Sequence, residues 1–162
     1  MEIGGEMTLA AVVQALASIA AFVFIIFQVT QINRSIKGAT QDRVYAHYTE
    51  ICKIFLQKPY LRPYFYENKE LLEDDPRYPH LRSEIDFMSE TILGLIEHAV
   101  LQQGNLPPDC WENCWLPYAN ERLRMSAEIK KFFAPNTDWY TDALRDVVNE
   151  SEGRLEVART RA

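Results

Sequence analysis

The stretch Thr8–Lys37, "TLAAVVQALASIAAFVFIIFQVTQINRSIK", decides what kind of protein this chain makes. Leu9 to Phe27 is apolar except for Gln14 and Ser18, and no charge stands between Met7 and Asn33. Those 19 residues, at about 1.5 Å of rise each, give a helix of roughly 28 Å, close to the ~30 Å hydrocarbon layer of a bilayer. A cleaved signal peptide needs a basic leader and a shorter apolar core. The leader "MEIGGEM" holds Glu2 and Glu6 and no lysine or arginine, and the cleavage-like Ala15-Leu16-Ala17 lies mid-run. A buried core helix of this length would show a polar face. The stretch reads as one retained transmembrane helix, residues 8–33, behind a short extracytoplasmic leader, residues 1–7.

Its flanks set a direction. Arg34, Lys37 and Arg43 follow the span with only Asp42 opposing them, and the leading side carries no basic residue. Basic residues stay on the cytoplasmic side, so the N-terminus is expected outside and residues 34–148 inside. The cysteines agree. Cys52, Cys110 and Cys114 are odd in number, form no disulfide framework and suit a reducing compartment.

The span also has sides. At about 100° per residue from Gln14, the residues Ala10, Ala17, Ser18, Ala21 and Gln28 fall within about 60°, with Ile25 and Ile32. Phe22, Val23, Ile26 and Phe27 fall elsewhere. Small residues let helix backbones approach closely, and an amide in hydrocarbon is favourable only with a partner, for about 1 kcal/mol per contact. The face of Ala10, Gln14, Ala17, Ser18, Ala21 and Gln28 is thus the expected docking surface for another membrane protein or a second copy, while the bulky faces meet lipid.

Past the membrane no proline occurs before Pro59, and Gly38 is the only glycine after the leader until Gly94. Ile32, Ile36, Val44, Tyr48, Ile51 and Phe55 recur mostly at three and four, which predicts one helix from about Thr8 to about Gln57, the second half an amphipathic stalk. "KPYLRPYFYENKE" (58–70) predicts a short helical turn packed by its rings, and "EDDPRYPH" (73–80) a loop whose acidic residues cap the next helix. Ile85, Met88, Ile92, Leu95, Ile96 and Ala99 mark a helix over about 81–103, ended by Gly104-Asn105. Trp111, Cys114, Trp115 and Tyr118 mark a third, with Pro117 placed to kink it. Ser126 is the expected N-cap of "AEIKKFF", and Asn136-Thr137-Asp138 the cap of a last helix carrying Trp139, Tyr140, Ala143, Leu144, Val147 and Val148. Residues 149–162 are a polar tail expected to fray or to dock on a partner. No long run alternates with period two, so the fold class is all-α: a single transmembrane helix continuing into a stalk that packs in a small cytoplasmic bundle.

Catalytic patterns are scarce. With 48% hydrophobic and 25% charged residues the 162-residue chain holds one ordinary folded domain plus its anchor, and a net charge of −6 argues against nucleic acid as a partner. Phosphate-binding glycine loops, GxSxG, HExxH and CxxC are all absent. Asp86, Glu90, Glu97 and His98 share one predicted helix, but Glu97 and His98 are adjacent and point about 100° apart, and no Glu-x-x-His occurs as a di-iron bundle requires. Asp86 and Glu90 read as solvated, with Glu97 or His98 making a polar contact to another helix. Cys110 and Cys114 supply half of a zinc site at most, with His98 and Cys52 as conceivable partners, and read as packing residues. Tyr60, Tyr64, Phe65, Tyr66 and Tyr78 could stack a ligand or seal the stalk against the later helices; the second is expected. No cofactor or metal is expected.

The single N-terminal span, with "PYLRPYFYENKE" (59–70), "IEHAVLQQGNLPPDCWE" (96–112) and "FFAPNTDWY" (132–140), resembles a widespread family of short, uncharacterised bacterial proteins. These have one N-terminal span and a helical cytoplasmic domain. The resemblance covers about 20–148, rests on packing and turn residues, and implies a bacterial inner-membrane location without implying an activity. The expected function is a non-enzymatic accessory or interaction subunit of a larger inner-membrane complex, whether respiratory, photosynthetic or transport. The alternative is a membrane-tethered sensor or regulator whose helical domain binds a soluble partner or small ligand.

Overall fold

A computed structural model describes the backbone over residues 3–160 and the side chains of 9–151. The leader expectation for residues 1–7 and the end of the tail lie outside the described side chains. The described residues form helices joined by turns and loops, with no strand among them. They form α1 (Ile3–Gln57), α2 (Arg62–Tyr66), α3 (Tyr78–Leu101), α4 (Leu116–Arg124), α5 (Ala127–Phe133) and α6 (Asp142–Thr160), with short 3₁₀ and π turns between them. Two compact units divide the chain, Met1–Ala39 and Thr40–Ala162.

Over its described residues the first unit is helix alone. α1 passes through Gly38 unbroken, since a single glycine costs a helix only about 1 kcal/mol. Every described side chain from Leu9 to Ile36 is exposed, the hydroxyls of Ser18 and Thr30 being returned to the carbonyls of Gln14 and Ile26. This is a helix long and apolar enough to cross a membrane. Ile32 and Ile36, expected to begin the stalk's packed stripe, belong to this uncovered part at 57% and 47% exposure.

The second unit owns the core. From α1 it takes Val44, Ile51 and Phe55, which meet Tyr64 and Phe65 of α2, the buried stripe Ile85, Met88, Ile92, Leu95, Ile96 and Ala99 of α3, Leu123, Ile129, and Leu144 and Val148 of α6. α1 stops because Lys58 precedes Pro59, whose ring disfavours the helical region for its neighbour; Lys58 sits at φ −126°, ψ 64°. Trp111–Trp115 is a π turn that ends two residues before Pro117, which has no N–H to continue an ordinary ladder.

Caps divide into kept and displaced. Ser126 caps α5 as expected: its Oγ accepts from Ile129 N at 3.2 Å and donates to the Tyr64 carbonyl at 2.8 Å. The acidic loop does not cap the first turn of α3; Asp75 instead accepts from the Arg77 N–H just outside the helix and pairs with its guanidinium. Asn136-Thr137-Asp138 caps nothing. These residues lie in a 3₁₀ turn, Ala134–Trp139, where Thr137 and Asn136 bond back to Phe133 and Phe132. α6 begins later, at Asp142, so Trp139 and Tyr140 precede it. It runs through Asn149 to Thr160, and Ser151, within the expected fraying tail, is buried and bonded to Val148.

Candidate functional site

On α1, Ala10, Gln14, Ala17, Ser18, Ala21 and Gln28 are all exposed, on the helix face their spacing assigns. Nothing in the described chain covers them. Ser18 spends its proton on the Gln14 carbonyl and keeps its lone pairs for an incoming donor. Arg34 and Arg43 are exposed and Lys37 is half-buried.

In the second unit the charged groups are mostly consumed in pairs. Glu128 is fully buried and is met by the Leu71 N–H at 3.0 Å, Arg82 Nη1 at 2.6 Å and Lys131 Nζ at 3.3 Å. Arg82 also holds Asp86, so Asp86 is half of an ion pair rather than a solvated charge. Arg122, 4% exposed, lays its guanidinium 3.8 Å over the Tyr66 ring and donates Nη1 to the Phe65 carbonyl at 3.0 Å. Burial lifts the Tyr118 phenol well above the ordinary tyrosine range and Tyr66 above it too. These are the ties between α2, α3, α4 and α5.

Of the aromatic set from 60 to 78, all but the exposed Tyr60 pack at least partly against the core. Tyr64 and Phe65 are buried, Tyr66 meets Phe55 edge to face, and Tyr60 donates to Glu84, which also takes Lys58 at 2.7 Å. Cys110 is buried, which raises its thiol pKa, and Cys114 is exposed beside it. Cys52 lies elsewhere, half-buried, against Tyr48 and Tyr66. His98 packs against His47 with ring centroids 6.1 Å apart. Among the described residues no three His, Cys, Asp or Glu side chains converge as metal ligands.

Among the described residues the surface grooves include three of 400–460 Å³. Two are bordered by paired charges, Asp75–Arg77 in one and Lys58–Glu84 in the other. The third, about 440 Å³, is different. Phe87, Glu90, Gly94 and Glu97 form its wall at spacings of three and four along α3, and Trp139 and Tyr140 stand opposite. Phe87 and Trp139 are 63% and 67% exposed. Glu97 accepts from both the N–H and the hydroxyl of Thr141 through one oxygen, the expected polar contact to another helix, and neither Glu90 nor Glu97 has a cationic partner among the described residues. Tyr140 is 7% exposed with its hydroxyl unbonded, and burial together with Glu90 and Glu97 pushes its pKa up to about 12. His47 lines the same groove, and burial first, then His98, lowers its pKa below that of a free imidazole.

The sequence reading missed this groove. Trp139 lies in the 3₁₀ turn Ala134–Trp139 rather than on the face of the last helix, and Phe87 and Gly94 stand off the apolar stripe of α3. The available signal was a second stripe on α3, 87-90-94-97, offset from the apolar one. Comparisons with protein-family models, with curated proteins and with solved structures each returned no match.

Proposed function

We propose that this protein is a non-enzymatic, membrane-anchored accessory subunit of an inner-membrane assembly. α1 crosses the bilayer over residues 8–33 with its N-terminus outside, and the helical unit beyond it lies in the cytoplasm on the stalk half of α1. One observation carries the reading: the apolar side chains from Leu9 to Ile32 are all uncovered. At about 25 cal/mol per Å² of apolar surface, such a helix does not stay in water. Ala10, Gln14, Ala17, Ser18, Ala21 and Gln28 then form the side that faces a partner helix, where close backbone approach replaces the missing hydrophobic drive.

The anchor is tested by extracting membranes with alkaline carbonate, which should leave the protein in the pellet; release into the supernatant sinks the anchor. Mild-detergent purification should bring a stoichiometric membrane partner, or a second copy, and the Ala17→Leu, Ala21→Leu double variant should lose it. Unchanged association of that variant removes the docking face. A second reading, a tethered sensor whose cytoplasmic unit binds a small ligand, is favoured by the open groove on α3.

A further inference from the structure

We infer that Cys110 and Cys114 are a peroxide-reactive thiol pair that closes into a disulfide at the π turn before α4. The inference goes beyond the docking and ligand readings and depends on neither.

The two cysteines stand four positions apart and differ in access. Cys114 is exposed, so an oxidant in solvent reaches its sulfur, whereas Cys110 is 8% exposed and belongs to the core. They are neighbours: burial first, then the Cys114 thiol beside it, raises the Cys110 pKa. In a regular α-helix, residues four apart hold their Cβ atoms about 5–6 Å from each other, beyond the roughly 3.5–4.5 Å of a disulfide. Here the chain is wound as a π turn, its ladder closing from the Leu116 N–H to the Trp111 carbonyl. The wider ring turns and rises less per residue, which brings Cys110 and Cys114 toward the disulfide range. Asp109 directly before them is left-handed at φ 63°, so Cys110 opens the turn with no helix behind it to hold it back.

The independent sign is Trp115, which is 5% exposed with its Nε1 unbonded. A buried N–H without an acceptor is costly. This one stands near enough to Cys110 to favour its thiolate. A thiol is a weak acceptor for such a donor and a thiolate a strong one, so the indole supports the anion that the second step needs. Trp115 also rests on Tyr45 and Tyr48 of α1, ring centroids 5.1 and 6.2 Å away, so the pair lies beside the second half of α1.

The chemistry takes two steps, with hydrogen peroxide as oxidant. The Cys114 thiolate attacks one peroxide oxygen; the O–O bond breaks, and hydroxide leaves and takes a proton as water, giving Cys114 sulfenic acid. Cys110 then loses its proton and attacks the Cys114 sulfur. The S–S bond forms, the S–O bond breaks, and the departing hydroxide takes a proton as a second water. Two thiols give up two electrons and one peroxide is reduced to two waters. Cys52 lies elsewhere, against Tyr48 and Tyr66, and takes no part.

The test treats the full chain in lipid nanodiscs with hydrogen peroxide, removes the peroxide with catalase, and labels the denatured chain with a maleimide. Cys52 should be the thiol that still labels, the intact mass should fall by two hydrogens, and dithiothreitol should restore labelling at Cys110 and Cys114. In Cys110→Ser the reaction should stop at Cys114 sulfenic acid, which dimedone traps. In Cys114→Ser, Cys110 should stay reduced because its sulfur is buried. Trp115→Phe should slow closure at least about threefold while the dimedone-trapped first step keeps its rate. Cys110 and Cys114 both still labelling after peroxide overturns the inference, as does a Cys114 bond between two chains. Equal closure rates in wild type and Trp115→Phe overturn the role given to the indole.

Discussion

The carboxylate of Glu97 on α3 takes the backbone N–H of Thr141 at 2.8 Å and its hydroxyl at 2.9 Å, through the same oxygen. Thr141 is the residue whose carbonyl opens α6, accepting from Leu144 and Arg145. An acid on one helix therefore seats the start of another. This positions Glu97 in the groove wall and puts negative charge where a helix N-terminus favours it.

Glu97→Ala should cost about 1–2 kcal/mol, since it removes a charge-assisted contact at a helix start. Thr141→Ala should cost less, because the backbone N–H survives. Thermal unfolding of both variants gives the order, and an equal loss would mean that the hydroxyl alone matters.

Glu128→Ala should be the most damaging single change among these charges. It leaves Arg82 half-buried with one acid instead of two and strands the Leu71 N–H, for about 3 kcal/mol. Chemical denaturation should show the midpoint fall. A loss under about 1 kcal/mol would make the contact peripheral.

Arg122→Lys should not be silent. The guanidinium stacks on Tyr66 while bonding the Phe65 carbonyl, and an ammonium does one or the other. A loss of about 1–2 kcal/mol is expected, read from the unfolding midpoint against wild type.

Gly94→Ala should raise stability by about 0.5–1 kcal/mol, as alanine improves a helix interior and its Cβ meets open space. A destabilised variant would reveal packing at this position.

Stability should fall on mild acidification. The His47 pKa is lowered in the fold, by burial and then by His98, so the unfolded chain binds the proton more readily. The contribution is present above the unfolded pKa of about 6.5 and is lost as pH drops through the lowered native value. Unfolding midpoints from pH 7.5 to 5 should show this slope, and His47→Gln should flatten it. Asp75, held at about 2 by its bonds from Arg77, acts only in stronger acid, its contribution disappearing as pH falls from about 3.8.

Much of this was readable from residue order, for local reasons. The unbroken apolar run from Leu9, the absence of proline before Pro59 and the three-four spacing on α3 each act within a few turns of chain, and they give the helical class, the long α1 and the buried stripe of α3. Ser126 was legible because an N-cap is a contact of three residues' reach. What the sequence could not decide lies across the fold. Where α6 starts depends on Glu97, 44 positions upstream of Thr141. Whether Trp139 is core or surface depends on a 3₁₀ turn displacing it from α6, and Asp86 has its pairing from an arginine shared with Glu128. Periodicity reports which face of a helix is apolar. Only tertiary packing decides which polar face closes on an ion pair and which, as beside Gly94, stays open.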